Sequence, residues 1–192
     1  MTQPIDLAGF NAHFTASRDP WGTWQRRDEA NKRRVILRAL GPGPHARILE
    51  LASGNGSNST ALADRALALD ACDGAPAAVR LTAEALAGRT HARAHHCMLP
   101  GPLPRARYEA VVIAELLYYL APRPLARLAT DIGRVLVSGG RLILAHHHID
   151  FTDRAQTTRG IHPRFLAATG RVWRRDHHYR NRRWTVTAGR LD

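Results

Sequence analysis

Apolar residues along this chain fall into two alternating patterns, and each change of pattern marks a boundary between elements. Mainly apolar runs at Ala46 to Leu51, Tyr108 to Ile113 and Arg141 to Ala145 predict strands covered on both faces. Arg65 to Asp70 predicts another strand, ending in an acid, and residues 91 to 97 a weaker polar one. Between them lie helical stretches. Residues 26 to 40 carry Val35, Ile36, Leu37 and Leu40 and stop at Gly41-Pro42-Gly43-Pro44, where glycine and proline cannot continue a helix. Further helices are expected from Ser57 or Ser59 to Asp64, over the alanine-rich 75 to 87, and over 122 to 137, closed by Gly139-Gly140. Leu99-Pro100-Gly101-Pro102-Leu103-Pro104 is a rigid turn.

The two ends depart from this rhythm. Ile5, Leu7, Phe10 and Phe14 predict a short amphipathic helix that the turn Arg18 to Gly22 ends, and Trp21 and Trp24 beyond it are either a hydrophobic staple or a lid over a pocket. Val172 to Tyr179 and Trp184 to Ala188 read as two strands joined by the polar turn Arg180 to Arg183, an antiparallel hairpin at a sheet edge. Strands alternating with helices give an α/β fold, a seven-stranded, mostly parallel sheet with helices on both faces. Ligands of such sheets bind at the strand C-termini near the switch point, where Glu50, Asp70, Cys97, Glu115 and His146 are expected. At 192 residues one domain spans the chain, a helical cap over 1–40 and a core over 46–192.

The most informative stretch is Glu50-Leu51-Ala52-Ser53-Gly54-Asn55-Gly56. A strand ends in an acid, turns through glycines and opens a helix, which turns backbone N–H groups and a helix N-terminus toward a ligand. Counting from Gly54, Ser59 stands where the dinucleotide motif G-x-G-x-x-G needs its third glycine, so the NAD reading loses an element. Asp70 lies 20 positions beyond Glu50, near the spacing at which an acid hydrogen-bonds ribose hydroxyls; the alternative for such an acid is to cap the next helix, which Asp73 could also do.

Composition narrows the classes. The net charge is +12 and the pI about 11.3, which favours an anionic partner. One lysine, Lys32, stands against 27 arginines spread along the whole chain, so the charge reflects an arginine bias and nucleic acid is not the expected partner. Cys72 and Cys97 match no zinc spacing and are read as thiols. Adjacent residues of a strand face opposite ways, so His146-His147-His148 cannot converge on one ion and no metal is expected. No apolar run reaches the length of a membrane span and no signal peptide is visible, so the expected location is cytoplasmic, away from membranes.

Glu50-x-Ala52-x-Gly54-x-Gly56 resembles motif I of the class I S-adenosylmethionine-dependent methyltransferases, with Ala52 in place of the first glycine. Those enzymes have a Rossmann-like sheet that ends in a reversed seventh strand. Within them the chain is similar to the nodulation N-methyltransferases of the NodS type, on Asp19-Pro20-Trp21-Gly22, Glu50 to Gly56, the proline-rich turn before Tyr108, and Ala114-Glu115-Leu116-Leu117-Tyr118-Tyr119-Leu120. His147 and His162 fall near that family's histidine positions. The likeness covers about residues 19 to 180, and the family methylates the free amine of a partly deacetylated chitooligosaccharide.

The resemblance implies a methyltransferase that binds S-adenosyl-L-methionine, releases S-adenosyl-L-homocysteine and acts on an amine of a small molecule, an amino sugar or chitooligosaccharide-like acceptor. Glu50, Ala52, Ser53, Gly54 and Gly56 would hold the methionine end, Asp70 with Ala71 the ribose, and Cys97 with Met98 the adenine, with Glu115 and Trp21 also at the cofactor. An amine attacks only when neutral, so a base is needed. His146 and His147 are the candidates, with Glu115 as ammonium ligand, base or cofactor anchor and Tyr118 or Tyr119 lining the acceptor pocket. The first 25 residues and the loop 151 to 162 are expected to close over the pocket and exclude water. The competing readings are methylation of another natural product, RNA or protein, and a cofactor-fold module without catalysis.

Overall fold

The computed structural model describes residues 4–148 and 153–192. In chain order the elements are α1 (Leu7–Ala16), α2 (Arg27–Leu40), β1 (Ile48–Leu51), α3 (Ser57–Ala63), β2 (Leu69–Asp73), α4 (Pro76–Ala85), β3 (Ala92–His96), β4 (Tyr108–Ala114), α5 (Pro122–Val135), β5 (Leu136–His147), α6 (Ile161–Ala168), β6 (Trp173–Arg180) and β7 (Trp184–Leu191). The seven strands form one sheet in the order β3-β2-β1-β4-β5-β7-β6. The first five are parallel, while β7 runs antiparallel between β5 and β6. The strand order and the reversed β7 are those of a Rossmann-like sheet with a C-terminal hairpin, as expected.

Two buried layers flank the sheet. On one face Val35, Ile36, Ala39 and Leu40 of α2 and Leu62 of α3 pack against Ile48, Ala71, Val112 and Ile143. On the other, Leu125, Leu128 and Ile132 of α5 and Phe165 of α6 cover Leu49, Val111, Ile113 and Leu144. Chain order reverses between β1 and β4, and such a reversal leaves a crevice beyond the strand C-termini. Among the described residues no helix is long and apolar enough to cross a membrane.

Two boundaries differ from expectation, with consequences for the site. The second strand runs over Leu69–Asp73 and not Arg65 to Asp70, because His45 bonds to Arg65 and Leu67 in a bridge that ends before the strand begins. Asp70 is therefore near the start of β2, far from the ligand end. The helix expected to reach 137 stops at Val135, and Gly139 and Gly140 lie within the long strand β5.

Candidate active site

The C-terminal ends of all five parallel strands open into one cavity of about 500 Å³, within the size range of small-molecule sites. Its walls include Ala52, Ser53 and Gly54 after β1, Asp73 and Gly74 at β2, and Cys97 and Met98 after β3. They continue with Ala114 and Glu115 at β4 and His147 at the end of β5. Phe10, Phe14 and Trp21 form a ring cluster on its outer side, with Phe10 to Trp21 centroids 6.1 Å apart and Phe14 to Trp21 5.1 Å apart. Trp21 thus lines the cavity as part of a packed aromatic wall. The Ile5 N–H donates to the Asp153 carbonyl at 2.8 Å, joining the N-terminal segment to the loop after β5. Residues 151 and 152 of the expected lid lie outside the described residues.

At the glycine turn the backbone is strained where the sequence has alanine. Ala52 has φ 58°, the left-handed region, at a cost of about 1–2 kcal/mol for a residue with a Cβ. This strain sits in the wall of the cavity. The Gly54 N–H donates to Asp73 Oδ2 at 2.9 Å, and Asp73 Oδ1 accepts the Ala75 N–H at 2.9 Å. Each carboxylate oxygen has a second lone pair, so Asp73 can take hydroxyl donors from the cavity. Burial raises its pKa, against the three backbone N–H bonds. Gly56 does not reach the cavity. It lets α3 meet α4, since a Cβ there would lie 2.8 Å from the Ala85 Cβ.

Beside Gly56, three more expected cofactor residues sit elsewhere. Asp70 is buried among Arg47 (3.2 Å), His95 (2.7 Å) and the Tyr108 hydroxyl (3.2 Å), and so is fully engaged below the sheet rim. Ala71 is buried in the core beneath α3. Glu50 is buried behind the turn, where it accepts the Ser59 hydroxyl at 2.5 Å, and burial pushes its pKa up to about 8. The acid at the cavity is Asp73, 19 positions after Gly54. Counted from the glycine turn and not from Glu50, the spacing rule would have found it.

Opposite the glycine turn the cavity ends in a charged cluster. Glu115, at φ 54° just past β4, accepts on both oxygens. Oε1 lies 2.6 Å from Lys32 Nζ and 2.8 Å from His147 Nδ1; Oε2 takes the His147 backbone N–H at 3.2 Å and the Tyr118 hydroxyl. Burial pushes the Glu115 pKa upward, but the Lys32 ammonium and His147 more than offset this and hold it well below the usual range. An ionised carboxylate only accepts, so the proton of the 2.8 Å contact is on His147 Nδ1, and the lone pair of the neutral ring is on Nε2. Nε2 lies 3.6 Å from Glu29 and 4.0 Å from Asp28. Four donors on Glu115 make it a fixed anion and a poor proton acceptor.

His146 points the other way. Its Nε2 accepts the Leu116 and Leu117 N–H groups (3.3 and 3.1 Å), and its Nδ1 meets His162 Nε2 at 2.9 Å, whose Nδ1 meets Thr187 Oγ1 at 2.9 Å. Burial lowers the His146 pKa well below the ordinary value and that of His162 to about 4. His146 is a neutral brace for the turn that presents Glu115, and it does not line the cavity. Of the two candidate histidines, geometry brings only His147 to the cavity.

Asp28, Glu29 and Lys32 on α2 also line the cavity and were not among the expected site residues. Glu29, Lys32, Ile36 and Leu40 fall at spacings of three, four and four, so two charged residues continue the apolar stripe of α2. That interruption was the available signal. Asp28, Glu29 and His147 offer ligand atoms within 4.8 Å of one another, but the Lys32 ammonium, 2.9 Å from Glu29, already supplies the cation there.

The family model described as a methyltransferase domain matches residues 48–140. No curated protein sequence matches the chain closely enough to add to this. Among solved structures the fold is similar to N-methyltransferase NodS from Bradyrhizobium japonicum WM9 with S-adenosyl-l-homocysteine, at a TM-score of 0.83 and 17% identity over 96% of this chain and 97% of that one. It is similar to the DhpI–SAH complex, at 0.76 and 16% identity over 96% and 94%. It is also similar to geranyl diphosphate C-methyltransferase from Streptomyces coelicolor A3(2), at 0.70 and 13% identity over 90% and 82%. At these identities the likeness is one of fold, and the fold serves transfer to nitrogen and to carbon.

Proposed function

Because the chain carries a class I S-adenosylmethionine-dependent methyltransferase domain, we propose that it moves the methyl group to an amine of a small molecule, an amino sugar being the favoured acceptor. The observation that carries this reading is the Glu115–His147 pair, 2.8 Å apart, with Glu29 and Asp28 beside Nε2. An ammonium is drawn to such carboxylates, yet must lose a proton before its nitrogen can attack. An alcohol also gives up a proton to a base, but carries no positive charge for three carboxylates to attract.

S-adenosylmethionine would supply an electrophilic methyl group on a sulfonium. Its nucleoside end suits Asp73 and the apolar wall of Cys97, Met98 and Leu99, and its methionine end suits the turn Ala52 to Gly54. This assignment replaces Asp70 with Asp73 and leaves Glu50 and Gly56 as supports of the turn. His147 Nε2 takes the acceptor's proton, Glu115 steadies the resulting imidazolium from Nδ1, and Tyr118 holds Glu115 from its other oxygen. The aromatic wall of Phe10, Phe14, Trp21 and Tyr119 keeps water from the reacting pair. The N-atom preference agrees with the name of the NodS structure, and the amino sugar with the sequence likeness to that family.

The test is methyl transfer from tritiated S-adenosylmethionine to glucosamine oligomers, each beside its N-acetylated form. Label is expected on the free amines and not on the acetylated partners. Equal labelling of both would move the reaction to oxygen and overturn the reading.

A further inference from the structure

Lys32 is the only lysine in a chain with 27 arginines, and it is buried, 2% exposed, at the charged end of the cavity. Where this chain needs surface charge it uses arginine, so a lone lysine in the interior marks a place that needs a compact ammonium. Its Nζ lies 2.6 Å from Glu115 Oε1, 2.9 Å from Glu29 Oε2 and 3.4 Å from His147 Nδ1. Three N–H groups diverging from one atom can serve two carboxylates beside one imidazole, which a flat guanidinium fork cannot do from the same point. Removal from water disfavours this ammonium, but Glu115 and Glu29 outweigh that and raise its pKa.

The charges facing His147 come from every neighbouring element. Glu115 stands 2.8 Å away at the end of β4, and Glu29 and Asp28 on α2 stand 3.6 and 4.0 Å away. All three favour a proton on the ring. Opposing them are Lys32 on α2 and, farther off, Arg183 in the turn before β7, which is paired to Asp28 at 3.2 Å. Asp153 shares the cavity wall, and neutral His146 adjoins on β5. An imidazolium cannot accept a proton from an incoming ammonium, so the one ammonium set against these three carboxylates bears directly on the role given to His147.

We propose that Lys32 is a positioning residue that sets the proton affinity of the Glu115–His147 pair. Its ammonium keeps Glu115 ionised as the partner of Nδ1 and offsets the carboxylates, so that the ring is neutral when the acceptor arrives. The inference rests on the reading of His147 as the proton acceptor, and its test does not use turnover.

The experiment is an NMR titration of the protein saturated with S-adenosylhomocysteine and carrying 13C-labelled histidine, with the His147 signal identified by its loss in His147→Gln. In Lys32→Met the midpoint of His147 is expected to rise by about one pH unit or more, about tenfold in proton affinity. An unchanged midpoint in folded Lys32→Met overturns the proposal. Should that variant fail to fold, wild type labelled with 13Cε-lysine gives a single lysine signal. An inflection at the His147 midpoint that vanishes in His147→Gln supports the coupling, and a flat signal through that range overturns it. If His147→Gln keeps full turnover, the amine-methylation mechanism falls, whatever the titration shows.

Discussion

Replacing His147 with glutamine is expected to lower kcat about a hundredfold or more while S-adenosylhomocysteine affinity stays within about twofold. Glutamine can still donate to Glu115 Oε1, now 2.8 Å from the ring, so the anion keeps a partner and the cavity keeps its shape. What is lost is the lone pair on Nε2 and with it the route for the acceptor's proton. The loss should shrink as pH rises and more of the acceptor is already neutral. Steady-state kinetics across pH together with calorimetric titration separate the effects. Unchanged kcat rejects His147 as the base, and an equal fall in kcat and cofactor affinity would mean that the cavity itself had changed.

Glu50→Gln should make the protein more stable, and increasingly so toward alkaline pH. The folded pKa of Glu50 is about 8 against 4.5 for an ordinary glutamate, because burial disfavours the charge and one hydroxyl bond from Ser59 does not offset it. Between these values the folded state binds more protons than the unfolded one, so this residue's contribution to stability falls as pH rises from about 4.5 to about 8 and is flat above. The span of about 3.5 pH units corresponds to about 5 kcal/mol at most. The amide oxygen can still accept from Ser59. Urea midpoints at pH 5, 7 and 9 should show variant and wild type nearly equal at the lowest and several kcal/mol apart at the highest. A pH-independent difference would contradict the buried charge.

The pattern of apolar and polar runs was enough to place the seven strands and the helices up to α5, because the central parallel strands, covered on both faces, leave a clear trace; α6 had no expected counterpart. It failed at β2. Ala66-Leu67-Ala68-Leu69 is as apolar as Leu69-Asp70-Ala71-Cys72, and two acids are available to end the strand. The second run wins because Asp70 finds Arg47, His95 and Tyr108, on and beside three other strands, which makes burying that carboxylate tolerable. Those partners are distant in sequence and leave no local mark. The same holds for His146 and His147. Alternation on a strand says that they part company, but the choice of which faces the cavity is made by His162 and Thr187 on one side and Glu115 on the other. Lys32 was legible in principle, as a charge on an apolar helical stripe, and acquires meaning only once β4 and β5 bring Glu115 and His147 beside it.

Methyl transfer as proposed needs a cofactor held between the glycine turn and the acid at the end of β2. Calorimetric titration with S-adenosylhomocysteine, comparing wild type, Asp73→Asn and Asp70→Asn, tests this most directly. Wild type should bind with about micromolar affinity, and Asp73→Asn should bind about tenfold or more weakly through the loss of a charged hydrogen-bond acceptor. Asp70→Asn should lose stability and keep its affinity. No binding by folded wild type, or weakening at Asp70 and not at Asp73, would contradict it.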